Sequence, residues 1–588
     1  MPLPVLPVPA FVSRRRSSFE PPKPARLPVL RLENPTADAR LLDVVTPEYA
    51  LKRALLPLRR SGSVTLIAAG SSNAFRCQQA HLEALFGPVA HVVMSPAAIR
   101  GAIAAARGPQ MAARALLRTS HRESCRDWSG AVTVGKALLG LFCIGITGYL
   151  APLWLFGLLA FWASLTLVAV TSLRTVAAMV QLRAARRLDR TWQSARARIP
   201  CDAALPPISV IVPLFQESAI AGRLIEHLRK IDYPLDKFEI LFVLEADDDK
   251  TAASLGEVNL PDWMQVVRVP PGHLRTKPRA MNYALDFAQG DIIGIYDAED
   301  APAPDQLRKV AQTFAAAPPD VACLQGVLDF YNTRQSWLTR CFAIDYAIWF
   351  RLVLPGLVRM GFAIPLGGTT VFLKRDVLEK IGRWDAHNVT EDADLGIRLA
   401  RRGFRTEFVT TVTHEEATAT IPAWLRQRSR WIKGYAMTWA VHMRQPIRLW
   451  RDLGPKRFLG FQVLFLGTLS QFVFAPVLWS FWLVLMGLPH PIEAIAPWHV
   501  IVALGALYLL AEVATLAVAA LSVATPRHRK LIWWVPMMHL YFPLSAIACW
   551  KGAVELVSNP FYWDKTAHGL SVNPANSRPI PRRSRHPA

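Results

Sequence analysis

The sequence predicts an α/β domain inserted between two groups of transmembrane helices, with a smaller α/β module nearer the N-terminus. Three observations support this fold class. The chain has 588 residues, which is too long for a single hydrophobic core. Apolar residues make up 52% of it, and many are concentrated in blocks long enough to cross a bilayer. Between these blocks, over residues 200–440, apolar strands alternate with helices, which favours a mostly parallel sheet covered on both faces.

The composition also bears on partners and compartment. The net charge is +23, and much of the basic excess flanks apolar blocks, which favours an anionic membrane surface over nucleic acid. The flanking residues are Arg183, Arg186, Arg187, Arg527, Arg529 and Lys530. The seven cysteines include no Cys-x-x-Cys pair, so a zinc site or disulfide framework is not expected and a reducing compartment is. The first apolar run precedes the first charges, the reverse of a signal peptide.

The N-terminal part divides into a tail and a module. Residues 1–30 are rich in Pro and Arg and are predicted to be disordered. Residues 31–118 alternate helical and strand-like stretches, which predicts a small α/β module. Its predicted elements are a helix at Ala50–Leu56, a strand at Val64–Ala69, a helix at Gln78–Leu85, a strand at Val89–Met94 and a helix at Pro96–Ala106.

Two apolar regions flank the central domain. Residues 131–174 contain little charge besides Lys136, and Pro152 divides them into two lengths that each suffice for one crossing. A buried hairpin in a soluble protein is the alternative. The basic residues that follow predict a cytoplasmic side there, and therefore a cytoplasmic N-terminal module. Residues 457–557 hold three further apolar blocks, whose number of crossings is left open because prolines interrupt them.

Acidic and basic side chains follow the predicted strands of the central domain. Three carboxylates in Asp297–Asp300 end an apolar strand, where they are costly unless a cation such as Mg²⁺ or Mn²⁺ is bound. Asp247 and Asp248 follow another strand, and each is also compatible with an ordinary helix cap. Lys277 begins a predicted helix and is a candidate for binding phosphate, with a solvated basic turn as the alternative.

Three later motifs complete the set. Gly367, Gly368 and Thr369 form a stretch whose paired glycines allow a close approach to a ligand, and an ordinary turn is the interpretation that this motif favours when taken alone. Thr390–Asp392 open a predicted helix, for which simple capping is the alternative interpretation. The third motif is QRSRW, which contains Gln427, Arg430 and Trp431. These residues are at positions i, i+3 and i+4 and therefore share one helical face.

Together these motifs resemble the processive family 2 glycosyltransferases, which include cellulose, chitin and hyaluronan synthases. The segment QRSRW matches that family's Gln-x-x-Arg-Trp signature, and TED matches its catalytic Thr-Glu-Asp. The resemblance covers roughly residues 200–435. It implies a GT-A (Rossmann-like) fold and inverting transfer from a nucleotide sugar, with UDP-glucose as the first expectation. The implied product is a growing β-linked polysaccharide secreted through the protein's own membrane helices.

The resemblance also implies a role for each matched residue. Asp392, with Glu391 beside it, is the expected general base. A Mg²⁺ or Mn²⁺ ion is expected at Asp297 and at Glu299, which stands where the family usually has its second Asp. The expected donor-binding residues are Phe215, Glu217, Asp247 or Asp248, Lys277 and Asp297. The expected acceptor-binding residues are Gly367, Gly368, Thr369, Gln427, Arg430 and Trp431.

The segment after the last apolar block resembles a gate. Some relatives carry a Trp-containing segment there that closes over the donor, which makes residues 558–588 a gating-like segment followed by a basic tail. The candidate gating residues are Trp563, Lys565, Thr566 and His568. An interfacial aromatic anchor is the alternative. A cytoplasmic gate needs an even number of crossings between Trp439 and Asn559, whereas three apolar blocks crossing once each give an odd number.

Two other functions remain open at this stage. One is a non-processive transferase that adds one sugar to a lipid-linked acceptor. The other is an inactive second-messenger receptor subunit, because the 31–118 module resembles the N-terminal domain of type II secretion ATPases, a module also found fused to membrane glycosyltransferases. The expected location is the inner membrane, with several crossings and a cytoplasmic catalytic domain. The expected partners are a nucleotide sugar, a polysaccharide acceptor, the bilayer and export proteins, without nucleic acid.

Overall fold

The computed structural model describes residues 37–191, 202–217 and 221–563. The predicted tail and most of residues 558–588 lie outside this part of the chain. The molecule divides into two compact units, one ending at Ala106 and one starting at Arg107. This division falls at residue 106, whereas the predicted module ends at residue 118. Residues after 106 join the second unit because, for example, Arg118 forms an ion pair with Asp286 at 3.2 Å.

The first unit contains a three-stranded sheet in the order β1-β2-β3, with β1–β2 antiparallel and β2–β3 parallel. The strands are β1 (Leu55–Ser61), β2 (Val64–Ala69) and β3 (Val89–Val93). The helices are Ala39–Val45, Pro47–Arg53, Ser72–Phe86 and Pro96–Ala115, the last of which continues into the second unit. The predicted helix Ala50–Leu56 was too long at its end. Ala54 adopts the left-handed conformation that stops the helix, and the buried Leu55 and Leu56 begin β1.

The second unit is built on an eight-stranded sheet in the order β6-β5-β4-β7-β10-β9-β11-β8. The strands are β4 (Ile208–Leu214), β5 (Phe238–Glu245), β6 (Met264–Val269), β7 (Ile292–Ile295), β8 (Ala301–Pro302), β9 (Val321–Phe330), β10 (Val371–Lys374) and β11 (Arg405–Glu415). Strands β4 to β7 are parallel, as predicted. The sheet as a whole is mixed, because β10 is antiparallel to β7 and β9, and β8 is antiparallel to β11.

Helices cover this sheet and carry the predicted motifs. They are Ala221–Leu228, Asp249–Gly256, Lys277–Ala284, Gln306–Ala316, Trp337–Tyr346, Leu354–Arg359, Arg375–Lys380, Glu391–Arg401, Ile421–His442 and Pro446–Phe461, with a π-helical segment at Ala347–Val353. The core between strands and helices contains fully buried residues such as Val210, Phe242 and Phe372. The apolar strands β4 and β5 are buried along most of their length. This burial fixes the position of their carboxyl ends in the sheet.

Several helices are long and apolar enough to cross a membrane. Gly130–Leu150 and Pro152–Arg186 are two of them, separated at Pro152 as predicted, and Trp498–Ser522 is a third. Two bent pairs also qualify by length and composition. They are Pro446–Val473 with Ala475–Val484, bent by 58°, and Arg529–Tyr541 with Leu544–Ser558, bent by 46°.

The helical segment Trp337–Arg359 also has the length and hydropathy of a membrane span, but 72% of its most apolar window is buried inside the protein. It connects β9 to β10, which are hydrogen-bonded neighbours in the same sheet. A single crossing would place these two strands on opposite sides of a membrane. The segment is therefore part of the α/β domain.

Candidate active site

A cavity of about 620 Å³ lies at the carboxyl ends of β4, β5, β7 and β11. This is the edge of the sheet at which α/β domains with parallel strands bind their ligands. The cavity continues past the helix Ile421–His442 to residues of the membrane-type helices, including Phe472 and Phe542. The predicted site residues that line it are Phe215, Glu217, Lys277, Asp297, Glu299, Gly367, Gly368, Thr369, Glu391, Asp392, Gln427, Arg430, Trp431 and Trp563.

The acidic turn after β7 presents two of its carboxylates to the cavity. Asp300 is buried, and its Oδ2 accepts hydrogen bonds from the backbone N–H of Asp297, at 2.8 Å, and from the Thr369 hydroxyl. Burial, together with Asp297 and Glu299, raises the pKa of Asp300 well above its usual range. Asp300 thus holds the turn together, and the side chains of Asp297 and Glu299 line the cavity.

Lys277 lies at the start of the helix Lys277–Ala284 and faces the same turn. Its ammonium group donates to Asp297 Oδ1 and, at 3.0 Å, to the carbonyl oxygen of Gly368. Burial alone would lower the pKa of Lys277, but Asp297 and Glu391 outweigh it and raise that pKa above its usual value. The lysine is therefore positively charged in this cavity.

Asp392 and Lys277 both lie next to Gly368. A Cβ atom on Gly368 would come within 3.0 Å of Asp392 Oδ2 and within 3.8 Å of Lys277 Nζ, so the glycine provides the space that the two groups share. Glu391 and Asp392 occupy the first turn of the helix Glu391–Arg401, which begins two residues earlier than the predicted Ala393. Burial raises the pKa of Asp392. Burial and the neighbouring Asp392 raise the pKa of Glu391 to about 8.

A second glycine brings the helix that carries the QRSRW motif against the Thr390–Asp392 motif. A Cβ atom on Gly434 would meet Thr390 Oγ1 at 2.2 Å, which no side chain tolerates. The helix Ile421–His442 can therefore pack directly on the first residue of the Thr390–Asp392 motif. This contact explains why motifs about 35 residues apart in the sequence line one cavity.

The three residues of the QRSRW motif share one helical face, as predicted, and all line the cavity. The Trp431 ring lies 6.2 Å from the Phe342 ring and 6.3 Å from the Tyr346 ring, and the Arg428 guanidinium lies 4.9 Å from its centroid. These contacts fix the plane of the indole. Gln427 Oε1 is buried and has no hydrogen-bond partner among the described residues, so an acceptor hydroxyl can satisfy it.

The candidate gating segment reaches the site through Trp563. The Arg430 guanidinium lies 4.2 Å from the centroid of the Trp563 ring, a cation–π contact. Lys433 donates to the Tyr562 carbonyl oxygen at 3.0 Å and secures the chain just before this tryptophan. Lys565, Thr566 and His568 lie outside the described residues.

Asp247 and Asp248 do not line the cavity. Asp248 is buried and caps the helix Asp249–Gly256, and its Oδ2 accepts from the backbone N–H of Gln216 at 2.6 Å. It therefore supports the loop that carries Phe215. Asp247 forms an ion pair at 2.6 Å with Arg275, which does line the cavity. Both aspartates therefore lie next to residues of the part of the site that is predicted to bind the donor.

The cavity contains charged residues that sequence reasoning missed. Glu415 ends β11, and its buried Oε1 has no hydrogen-bond partner within the described part of the chain. The available signal was weaker than for Asp297, because β11 (RTEFVTTVTHE) is rich in Thr and only its acidic end marks Glu415. Arg174 and Asp345 line the membrane side of the cavity. A charged residue at the end of a long apolar run, as Arg174 is, was the available signal there.

The two adjacent carboxylates predict a pH dependence for a reaction that uses Asp392 as a base. A base must be deprotonated, so kcat/KM should rise with pH through a pKa above the usual carboxylate value of about 4. Because burial and the charge on Asp392 raise the pKa of Glu391 to about 8, Glu391 is still neutral when Asp392 loses its proton, so Glu391→Gln is expected to leave this acid limb in place. The pH profile of kcat/KM tests this, with the exposed Glu257→Gln as the matched control. An acid limb that moves to lower pH in Glu391→Gln would contradict this order of titration.

Comparisons with known proteins identify the domain. Residues 206–434 match the model of the family described as glycosyltransferase like family 2. A β-monoglucosyldiacylglycerol synthase from Synechocystis is 29% identical over 295 residues, which cover 48% of this chain and 61% of that protein. The cellulose synthase catalytic subunit [UDP-forming] of Komagataeibacter sucrofermentans is 25% identical over 284 residues, 46% of this chain and 35% of that protein.

Among solved structures, a mannosyltransferase from Pyrobaculum calidifontis, in complex with GDP-mannose and Mn²⁺, is 20% identical. The match has a TM-score of 0.39 and covers 66% of this chain and 99% of that chain. The chain thus spans less than two thirds of the two curated relatives. Residues 206–434 thus match the family 2 glycosyltransferase model, and they contain the mixed eight-stranded sheet.

Proposed function

We propose that this chain transfers a sugar, with inversion, from a nucleotide sugar to a growing β-linked polysaccharide. The observation that supports this proposal is the set of groups in one cavity. Lys277 pairs with Asp297, Asp392 and Lys277 both lie next to Gly368, and Trp431 lines the same cavity. Transfer from a nucleotide sugar requires these three kinds of group, for the donor, the base and the acceptor. UDP-glucose is the proposed donor.

Asp392 is the proposed base of a single displacement. It takes the proton of an acceptor hydroxyl, whose oxygen attacks the anomeric carbon of the donor. The bond between that carbon and the nucleotide diphosphate breaks, so the anomeric centre is inverted. Lys277 and Arg430 supply positive charge for the departing diphosphate. Gln427 and Trp431 hold the acceptor, the amide by hydrogen bonding and the indole by stacking on a sugar ring.

Asp297 and Glu299 are the proposed ligands of Mg²⁺ or Mn²⁺. Among the residues that the structure describes, no three His, Cys, Asp or Glu side chains form a metal site by themselves. Two carboxylates nevertheless suit these ions, which typically bind one or two carboxylates together with substrate phosphates. When bound, the ion would neutralise charge on the diphosphate. The unpartnered Oε1 of Glu415 lies on the wall of the same cavity.

We also propose four membrane crossings with a cytoplasmic catalytic domain in the inner membrane. The helix Leu544–Ser558 packs along Ile421–His442, with Lys551 donating to Ser429 Oγ at 3.1 Å and Lys433 paired with Glu555 at 3.3 Å. Such contacts with the α/β domain favour a position at the membrane surface. The apolar part of the bent pair, residues 462–484, and Trp498–Ser522 then supply two crossings, an even number, which leaves Trp563 on the catalytic side.

A lipid-linked acceptor is the alternative. The Synechocystis relative is named a β-monoglucosyldiacylglycerol synthase, and the far end of the cavity is lined by Leu469, Phe472 and Phe542. These apolar side chains would suit an acyl chain as well as a stacked sugar. The products separate the two functions. Purified protein in lipid would be incubated with a panel of nucleotide sugars and the products sized. A product that always carries a single added sugar would replace the polymer proposal with the lipid one.

Trp431→Ala tests the proposed acceptor platform. Without the indole, elongation should stop early, so the mean product length should fall by roughly tenfold. Donor binding, measured by titration with the nucleotide sugar, should change less than about threefold, because the described contacts of Trp431 are with Phe342, Tyr346 and Arg428 and not with the proposed donor-binding residues. The matched control is Trp450→Ala, a half-exposed tryptophan that does not line the cavity. Full-length product from Trp431→Ala would disprove this role.

A further inference from the structure

A second cavity, of about 500 Å³, lies on the other side of the π-helical segment Ala347–Val353. Phe350 of that segment lines both cavities. Two membrane-type helical segments reach the second cavity through Gln181 and Arg457, and Arg359 is the last residue of the segment Trp337–Arg359 of the α/β domain. The cavity therefore lies where these helices meet the α/β domain, away from the residues assigned to sugar transfer.

Positive charge dominates this second cavity. Its charged lining residues are Arg351, Arg359, Arg405, Arg457 and Glu407. Two of the arginines are neutralised by carboxylates, since Arg351 pairs with Asp329 at 3.0 Å and Arg405 pairs with Asp320 at 2.6 Å.

Arg359 and Arg457 differ from the other two. Arg359 Nε donates to Gln181 Oε1 at 2.8 Å, and Arg457 Nε donates to the Gly361 carbonyl oxygen at 3.1 Å. Both acceptors are neutral, and neither arginine forms an ion pair with a carboxylate among the described residues. A guanidinium carries five N–H donors. One such bond therefore leaves both the charge and most donors available to an anionic ligand.

The neighbouring surface has the character of a membrane interface. The helix Pro446–Phe461, which carries Arg457, exposes Ile447, Trp450 and Leu459. It also exposes Arg448 and Arg451. Exposed apolar side chains together with arginines are typical of a helix that lies in the headgroup region. The cavity itself has apolar walls next to its arginines, formed by Val327, Pro355 and Val358.

We propose that this cavity binds the phosphate group of an anionic phospholipid, held by Arg359 and Arg457. Guanidinium groups bind phosphate oxygens through paired, charge-assisted hydrogen bonds. A free phosphate has the same chemistry, but the apolar wall and the two membrane-type helical segments that reach the cavity favour a lipid headgroup with its acyl chains beside it. The site is independent of the proposed sugar transfer and would exist whichever acceptor the active site uses.

The experiment measures lipid retention by the full-length protein in detergent, using native mass spectrometry. Phosphatidylglycerol and phosphatidylcholine are added separately to the wild type, to Arg359→Gln/Arg457→Gln, and to the control Arg448→Gln/Arg451→Gln. The control removes the same charge from exposed positions that do not line the cavity. The wild type and the control should each retain one phosphatidylglycerol in preference to phosphatidylcholine. The cavity variant should lose that preference by about tenfold or more.

Three results would overturn the proposal. The first is equal retention of phosphatidylglycerol by the wild type and the cavity variant. The second is equal retention of the two lipids by the wild type. The third is displacement of the bound lipid by inorganic phosphate at low millimolar concentration, which would assign the site to a soluble phosphate. Circular dichroism of the cavity variant separates loss of the site from loss of the fold, and Arg359→Lys/Arg457→Lys should recover part of the binding by restoring charge.

Discussion

Asp392→Asn is expected to lower turnover by about 10²-fold or more, because an amide cannot accept the proton of the acceptor hydroxyl. The substitution preserves size, and Asn Oδ1 can still accept from the backbone N–H of Ala393, as the carboxylate does at 2.7 Å. Folding and donor binding should therefore survive. The measurements are kcat with saturating donor and the donor Kd by titration.

The control for this substitution is Asp376→Asn, an exposed aspartate in the first turn of another helix. It should keep wild-type turnover. Two outcomes would remove Asp392 from the role of base. One is near-normal kcat in Asp392→Asn. The other is a loss of kcat accompanied by a similar loss of donor binding, which would make Asp392 a binding residue.

Asp297→Asn is expected to reduce activity by at least about 10²-fold and to weaken binding of Mn²⁺ and the nucleotide diphosphate together. The amide removes a metal ligand and also the carboxylate that pairs with Lys277. Electron paramagnetic resonance of Mn²⁺, with and without nucleotide diphosphate, measures ion binding independently of turnover. Excess chelator should abolish wild-type activity, and added Mg²⁺ or Mn²⁺ should restore it.

Asp262→Asn is the matched control, because Asp262 is an exposed carboxylate that does not line the cavity. It should keep the wild-type Mn²⁺ signal and the wild-type activity. Full activity of the wild type in excess chelator would rule out the metal. Normal Mn²⁺ and nucleotide binding in Asp297→Asn would place the ion elsewhere.

The strand end that carries Asp297 was predictable from sequence, because a strand buried on both faces leaves a strong local pattern. The apolar run Ile292–Ile295 followed by acids indicated both a strand and its functional end, and the structure has β7 there with Asp297 lining the cavity. The helical face of Gln427, Arg430 and Trp431 was also predictable, since it depends only on helical periodicity.

Features that depend on contacts distant in sequence were not predictable. The antiparallel β10 has four residues, and only its pairing with β7 and β9 makes the sheet mixed. The contact between Gly434 and Thr390 likewise appears only in three dimensions. Asp248 is a residue whose role the sequence leaves ambiguous. Its sequence context fits both a ligand-binding residue and a helix cap, and the structure shows the cap.

The ion pair between Lys277 and Asp297 has a consequence for the order in which substrates bind. In the free enzyme the lysine occupies the electrostatic role that a divalent cation would have, so a free cation must compete with an ammonium group already tethered in place. A cation that arrives already chelated by the nucleotide sugar brings phosphates that can engage the displaced lysine. The kinetics should therefore follow the concentration of the metal–nucleotide complex, with free metal acting as a weak competitor rather than as an activator that loads first.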